Sequence, residues 1–218
     1  MFALLSLATS AFVVGLSGAL APGPLTAMTI AESARRGFRA GPLLTLGHAI
    51  VELVIVIALA VGLNRFFQLP LVSGLIALVG GVVLLWMGSS IARSAWLGRM
   101  RLATRGEAAP QVAAVDDVKT GMLVTVANPY WVLWWATVGA TFIVRALGWG
   151  VLGLAIFYLG HIMSDLSWNS LLAFAVSSGR RVISQRVYRG ALIVCGVFLV
   201  FMGMTFAIAG VGFLRSLV

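Results

Sequence analysis

Long apolar runs separated by short polar segments dominate the chain. Six runs are each close to the roughly 20 residues that a helix needs to cross the hydrocarbon core of a bilayer. They lie near 2–30, 42–63, 70–92, 119–143, 148–176 and 190–214. The alternating ten-residue segments typical of outer-membrane barrels do not occur in the sequence, so the pattern predicts an all-α integral membrane protein with six transmembrane helices.

The composition agrees with this pattern. Of the 218 residues, 61% are hydrophobic and 10% are charged, and the mean hydropathy is +1.07. Water-soluble domains do not carry such an apolar excess. The small residues at 19–21 resemble a signal-peptide cleavage site, but no basic residue precedes the first run, so we expect it to remain as the first span.

Basic residues are grouped in the polar segments between the runs. Three segments hold 12 of the 15 Lys and Arg residues: Arg35, Arg36, Arg39; Arg93, Arg99, Arg101, Arg105, Lys119; Arg180, Arg181, Arg186, Arg189. By the positive-inside rule these segments are cytoplasmic and both termini lie outside. Topology therefore explains the net charge of +9, and no nucleic-acid partner is predicted. We interpret Glu32, beside two of these arginines, as part of a surface salt bridge rather than a gate.

The chain divides into two similar halves. We interpret 93–118, the one long polar segment, as a flexible cytoplasmic linker between the three spans of 1–92 and the three spans of 119–218. LAPGP at 20–24 is matched by VANPY at 126–130, and GHAIVEL at 47–53 by GHIMSDL at 160–166. Because each half has an odd number of spans, the second half crosses in the opposite sense. This predicts two inverted repeats with a site where they meet.

Small residues predict how the helices touch. Helix contacts in lipid rely on residues that let backbones approach closely. We interpret glycines in the third and sixth spans as such contacts: Gly80, Gly81, Gly88, Gly196 and Gly203. The single cysteine, Cys195, lies in the sixth span and is interpreted as apolar filler, since it has no second cysteine in the chain to pair with.

Prolines interrupt the first and fourth spans at matched positions. Pro22 and Pro24 deprive the carbonyls four residues earlier of their helical partners, and Gly23 lets the chain bend. Asn128 and Pro129 interrupt the fourth span in the same way. A broken helix offers free carbonyls at one half and free amides with a positive dipole end at the other, which suits a zwitterion such as an amino acid. Structural kinks are the alternative, but the matched placement favours a substrate site.

Each half carries a histidine and a carboxylate four residues apart in its second span: His48 with Glu52, and His161 with Asp165. This spacing puts each pair on one helical face. The cost of charge in lipid directs such groups inward, where the repeat would bring all four together. Three hypotheses stay open. The four groups could form a proton relay, a divalent-metal site or a structural clamp between the halves. The proton relay is supported by burial, which penalises their charged forms and brings their pKa values toward physiological pH.

Aromatic residues follow the second break, in NPYWVLWW at 128–135. Anchoring at the membrane interface explains some of them. Trp131 lies within one turn of the proline, where it could wall a pocket or contact an ammonium group through its ring. Trp168 and Asn169, about one turn beyond Asp165, are polar enough to continue the same lining.

Three motifs together resemble the LysE-type (lysine exporter, RhtB-like) amino-acid translocator family. They are GALAPGP at 18–24, ESARRGFRAG at 32–41 and the Asn-Pro pair at 128–129. The resemblance implies export of amino acids or related small metabolites from the cytoplasm, by proton antiport. It also implies functional roles for Pro22, Gly23, Pro24, Asn128 and Pro129. The aromatic run after the second break and the twin histidine elements depart from the family's amino-acid exporters.

The sequence therefore predicts a secondary active transporter, not an enzyme, in a prokaryotic cytoplasmic membrane. Protons, the bilayer and a small-molecule substrate are its expected partners, and a homodimer is left open. No nucleotide-binding loop occurs in the polar linker, so ATP is not expected to drive transport, and no cofactor is predicted. The alternatives are a divalent metal cation exporter that uses His48, Glu52, His161 and Asp165 as ligands, and a membrane scaffold without a substrate.

Overall fold

The computed structural model describes residues 2–20, 23–62, 69–99, 114–179 and 184–215, and every regular element within these ranges is helical. The α-helices are α1 (Phe2–Ala19), α2 (Pro24–Arg36), α3 (Ala40–Ala60), α4 (Pro70–Trp96), α5 (Ala114–Val126), α6 (Pro129–Trp134), α7 (Ala140–Leu147), α8 (Gly150–Gly179) and α9 (Gln185–Arg215). A π-helical segment, Trp135–Gly139, joins α6 to α7.

Six stretches of helix among the described residues are long and apolar enough to cross a membrane. They are Phe2–Ala19, Ala40–Ala60, Pro70–Trp96, Tyr130–Leu147, Gly150–Gly179 and Gln185–Arg215. Transfer of so many apolar side chains from water drives insertion, and helices satisfy their own backbone in lipid. The predicted all-helical membrane protein with six apolar helices is thereby confirmed.

The helix bounds differ from the predicted spans at the prolines. The run 2–30 is shared between α1 and α2, and the run 119–143 is shared among α5, α6, the π-helical segment and α7. Gly23 and Asn128 have extended backbones, and a proline is the first residue of the helix that follows each of them. Proline suits this position because the first amide of a helix has no intrahelical acceptor. Pro22 lies outside the described residues.

The predicted linker 93–118 is helical at both ends. Residues 93–96 close α4, and residues 114–118 open α5. Its middle, 100–113, lies outside the described residues.

Glycines spaced seven apart bring α4 and α9 into close contact. Gly74, Gly81 and Gly88 on α4 face Gly210, Gly203 and Gly196 on α9, as expected for antiparallel helices. A methyl group at Gly88 would lie 2.6 Å from the Gly196 carbonyl oxygen, and one at Gly81 would lie 2.7 Å from that of Gly203. The backbones therefore touch along the pair, as predicted for Gly81, Gly88, Gly196 and Gly203. Gly80, the fifth predicted glycine, faces the Ala127 backbone instead.

Two apolar cores lie on either side of the middle of α3. One includes Leu44 of α3 with side chains from α2, α4, α5 and α9. The other includes Ile55 of α3 with side chains from α1, the π-helical segment, α7 and α8. His48 and Glu52 lie between Leu44 and Ile55 along the helix. The polar face of α3 is thus held between two packed regions, which fix its position.

Candidate functional site

The two histidine–carboxylate pairs meet in the interior of the protein. His48, Glu52, His161 and Asp165 are all buried, on the packed helices α3 and α8. Glu52 Oε1 lies 3.0 Å from His48 Nε2 and 3.3 Å from His161 Nε2. Asp165 Oδ2 lies 3.5 Å from His161 Nε2 and 4.0 Å from His48 Nε2. The structure therefore brings the four residues of the paired motifs into one cluster.

Two tryptophans bind the same oxygen of Glu52. The indole nitrogens of Trp131 and Trp135 each donate to Oε1 over 2.9 Å. Sequence reasoning gave Trp131 a different role and did not single out Trp135, which is fully buried. Their spacing of four residues, which puts both rings on one helical face, was the available signal. The two indoles fix the orientation of the Glu52 carboxylate.

The π-helical segment and a glycine make room for Trp135. A π-turn inserts an extra residue into the helix and changes the direction of the side chains around it. Trp135 begins this segment and Gly139 ends it. A methyl group at Gly139 would collide with the Trp135 ring. The local backbone and the missing side chain thus both contribute to the position of this indole.

The hydrogen bonds around His48 identify the nitrogen that carries a hydrogen. His48 Nδ1 lies 2.8 Å from the Thr125 hydroxyl, which donates its own hydrogen to the Gly121 carbonyl over 2.7 Å. The hydroxyl therefore accepts from Nδ1–H. Nε2 is left to share a proton with Glu52, 3.0 Å away. This arrangement connects α5, the first helix of the second half, to the cluster.

A cavity of about 80 Å³ opens beside the cluster, which is room for a few water molecules. It lies where the starts of α2 and α6 face the ends of α1 and the middles of α3 and α8. Its lining includes all four residues of the cluster, and also Gly23, Asn128, Trp131 and Asn169. Pro24 is buried at the start of α2 and is not among the lining residues, nor is Trp168. The side chain of Pro129 lies outside the described part of the chain.

A second group of charges joins α2 to the start of α5. Glu32 pairs with Arg35 at 2.9 Å and with Arg36 at 2.6 Å, and Arg36 also pairs with Asp117 at the start of α5. The predicted pairing of Glu32 with the neighbouring arginines is confirmed. The prediction that this salt bridge lies at the surface is wrong, because Glu32 is only 7% exposed. Packing of α2 against α5 removes it from solvent. Burial raises the pKa of Asp117, and the Arg36 guanidinium opposes this shift.

Three residues of the cluster have the donor set of a divalent-metal site. A nitrogen of His48 and one carboxylate oxygen each from Glu52 and Asp165 lie within 4.8 Å of one another. Imidazole and carboxylate are ligands that zinc and similar ions accept. His161, the fourth ligand predicted for a metal exporter, is not part of this group. The donor set fits a metal ion, although His48 Nε2 and Glu52 Oε1 also lie 3.0 Å from each other.

Comparison with known proteins places the chain among translocators. The family model described as LysE type translocator matches residues 16–210. A Bacillus subtilis (strain 168) protein named "Putative amino acid efflux protein YcgF" is 24% identical over 203 residues, which cover 93% of this chain and 95% of that protein. No solved structure matches the chain. The match covers both halves and the whole of the cluster.

Proposed function

Because the chain belongs to the LysE type translocator family, we propose that it exports amino acids or related small metabolites from the cytoplasm in exchange for protons. The observation that carries this proposal is the buried cluster of His48, Glu52, His161 and Asp165 beside a cavity between two helix starts. Ionisable groups are expensive inside a membrane protein and mark substrate or proton pathways. The similarity to a protein named for amino acid efflux supports the substrate class.

An exchange of packing partners supports two inverted repeats. The first helix of the first half, α1, packs on α8, whereas the first helix of the second half, α5, packs on α3. Gly47 of the first GH motif faces the Val118 backbone of α5, and Gly160 of the second faces Ala8 of α1. The second span of each half therefore packs against the first helix of the other half. The cavity is lined by residues from both halves, as expected for a site between inverted repeats.

The interrupted helices are the proposed substrate site. The first amides of α2, at Leu25 and Thr26, belong to residues that line the cavity, and a helix start favours an anion such as a carboxylate. Gly23, Asn128 and Trp131 line the same space. We assign Pro22, Pro24 and Pro129 to the site as the prolines that interrupt the two spans. The cavity is small, so a larger substrate requires the halves to move apart. Such movement, open first to one side and then to the other, is alternating access.

The cluster is the proposed proton carrier. Protons from outside bind the carboxylates of Glu52 and Asp165, assisted by His48 and His161, and favour the return of the empty protein to its inward-facing state. The positive-inside rule gives the orientation, with both termini outside in a prokaryotic cytoplasmic membrane. We therefore expect Glu52→Gln and Asp165→Asn to abolish pH-driven transport while the protein still inserts. If the pH dependence of transport is unchanged in both variants, Glu52 and Asp165 do not couple transport to protons.

Transport into proteoliposomes tests the proposal. Purified protein is reconstituted, a proton gradient is imposed, and uptake is compared for labelled L-alanine, L-leucine, L-lysine and L-glutamate and for zinc and manganese ions. Wild type is measured beside His48→Ala/His161→Ala and beside empty liposomes. Amino-acid uptake that needs both the protein and the gradient is the expected result. Absence of uptake for every amino acid would contradict the proposal.

Export of divalent metal ions is the second candidate. The grouping of His48, Glu52 and Asp165 within 4.8 Å favours it, because these three residues could hold the ion as substrate. Metal uptake in the same proteoliposomes that depends on the histidines would establish it in place of amino-acid export.

A further inference from the structure

The two oxygens of Glu52 have unequal surroundings. Oε1 accepts from Trp131 and Trp135 and lies close to both histidines. Oε2 is buried without a hydrogen-bond partner among the described residues, and so is Oδ2 of Asp165. A buried acceptor left without a donor costs about 1–3 kcal/mol, and a charged one costs more. His161 Nε2 lies 3.5 Å from Oδ2 of Asp165 without a hydrogen bond between them, so both oxygens are open to a donor from a ligand.

Both carboxylates line the same cavity and lie close together. One oxygen of Glu52 and one of Asp165 are within 4.8 Å of each other. A nitrogen placed between oxygens at this separation reaches both at the roughly 2.7–2.9 Å of charge-assisted hydrogen bonds. None of the described residues that line the cavity is Lys or Arg. His48 and His161 are thus the basic side chains of the described lining, and a ligand that brings an ammonium group adds the donors that the two carboxylates lack.

We propose that Glu52 and Asp165 form an ammonium subsite, which recognises the amino group of the substrate separately from the carboxylate contact assigned to the start of α2. This inference rests on the proposed export of amino acids and names the group of the substrate that the protein binds. It extends the role of the two residues from proton carriers to substrate ligands. Amino-acid amides, which keep the ammonium group, are then ligands, and 2-hydroxy acids are not.

Trp135 is the positioning residue of this subsite. Its indole and that of Trp131 hold Oε1, which turns the other oxygen of Glu52 away from these donors. Trp135 also packs against the His161 ring, with centroids 5.0 Å apart. Gly139 leaves the space that this indole occupies. Loss of the Trp135 N–H would free the carboxylate to rotate and weaken its contact with an ammonium group.

Ligand binding to the purified full-length protein tests the inference. Unfolding midpoints in detergent are measured across concentrations of L-leucine, L-leucinamide and L-2-hydroxy-4-methylpentanoate, and of L-alanine, L-alaninamide and L-lactate. We expect the amino acid and the amide of at least one series to stabilise the protein. The hydroxy acid is expected to bind about ten- to a hundredfold more weakly, as the loss of a hydrogen bond to a charged group predicts.

Three outcomes would overturn it, and they are distinguishable. A hydroxy acid that binds as well as its amino acid refutes the subsite and leaves amino-acid export standing. Absence of binding by every amino acid and amide refutes the proposed function and this inference together. Zinc chloride is measured in the same unfolding assay. If it stabilises the protein and the amines do not, the two carboxylates bind a metal ion and not an ammonium group.

Variants separate positioning from folding. Trp135→Phe keeps a ring but removes the donor, and we expect it to weaken amine binding about tenfold and to reduce the preference for amine over hydroxy acid. Trp86→Phe, at a tryptophan that is 67% exposed on the outer face of α4, is the matched control. Asp116→Asn, at an exposed carboxylate, is the control for Glu52→Gln. If Trp135→Phe lowers the unfolding midpoint but leaves the preference unchanged, its role is structural only.

Discussion

The indole nitrogen of Trp135 lies 2.9 Å from Oε1 of Glu52, although the two residues are 83 positions apart and belong to different halves of the chain. This hydrogen bond joins α3 to the π-helical segment that follows α6. Glu52 lines the cavity, so movement of α3 relative to this segment would break the hydrogen bond. The pair therefore connects the position of a buried carboxylate to the arrangement of the two halves.

Gly139 should be intolerant of a side chain, because it makes the space for the Trp135 ring. We expect Gly139→Ala to displace the indole from Glu52, to lower the unfolding midpoint and to reduce amino-acid transport about tenfold. Transport is measured in proteoliposomes with matched amounts of inserted protein. The control is Gly212→Ala in α9, where a methyl group meets no atom within 4 Å. Equal transport by the two variants would show that the ring position is unimportant.

The ion pair between Arg36 and the buried Asp117 predicts that loss of the arginine alone destabilises the protein more than loss of both charges. Arg36→Gln leaves Asp117 buried without its positive partner, and breaking such a pair costs about 3–5 kcal/mol. Arg36→Gln/Asp117→Asn should recover part of this loss, because no unpaired carboxylate remains. Thermal unfolding in detergent measures both. Arg39→Gln is the control, at an exposed arginine in the turn between α2 and α3. It changes the net charge by the same amount and should have little effect on the unfolding midpoint.

The loss in Arg36→Gln should also depend on pH. The pKa of Asp117 is raised by burial, so the folded protein binds this proton more readily than the unfolded chain does. Lowering the pH neutralises the unpaired carboxylate, and the difference in midpoint between wild type and variant should shrink. A difference that is constant with pH would show that the loss comes from packing of the arginine.

The glycine contacts between α4 and α9 give a packing prediction. Gly88→Ala would put a methyl group 2.6 Å from the Gly196 carbonyl oxygen, so the helices must separate. We expect a cost of about 1–3 kcal/mol, seen as a lower unfolding midpoint. Gly190→Ala, in α9 but with no atom within 4 Å of the added methyl group, should be neutral or slightly stabilising. A midpoint for Gly88→Ala equal to that of the control would contradict this close contact.

The orientation in the membrane is tested by labelling single cysteines. The native Cys195 is buried and is replaced by serine. In this background, Trp149→Cys between α7 and α8 should react with a membrane-impermeant maleimide in intact cells, because this loop is predicted to lie outside. Asp116→Cys at the start of α5 should react only after the membrane is permeabilised. The reverse pattern would invert the proposed topology.

Local sequence patterns predicted much of this molecule. Apolar runs of spanning length gave the helices, and the spacing of four residues gave the pairing within each histidine–carboxylate motif. The hydrogen bonds from Trp131 and Trp135 to Glu52 escaped prediction, because they depend on a π-turn and on the packing of distant helices. The same holds for Asp117, at the end of the predicted linker, whose partner Arg36 lies on α2. Residues that act across the interface between the halves therefore required the structure.

Exchange of amino acid and protons through this one protein is tested by following both at once. A pH-sensitive dye is trapped in proteoliposomes, the membrane potential is clamped with potassium and valinomycin, and the transported labelled amino acid is added outside. We expect the internal pH to rise as the amino acid enters, and we expect neither change with Glu52→Gln/Asp165→Asn. Entry of the amino acid into wild-type proteoliposomes without any change in internal pH would contradict it.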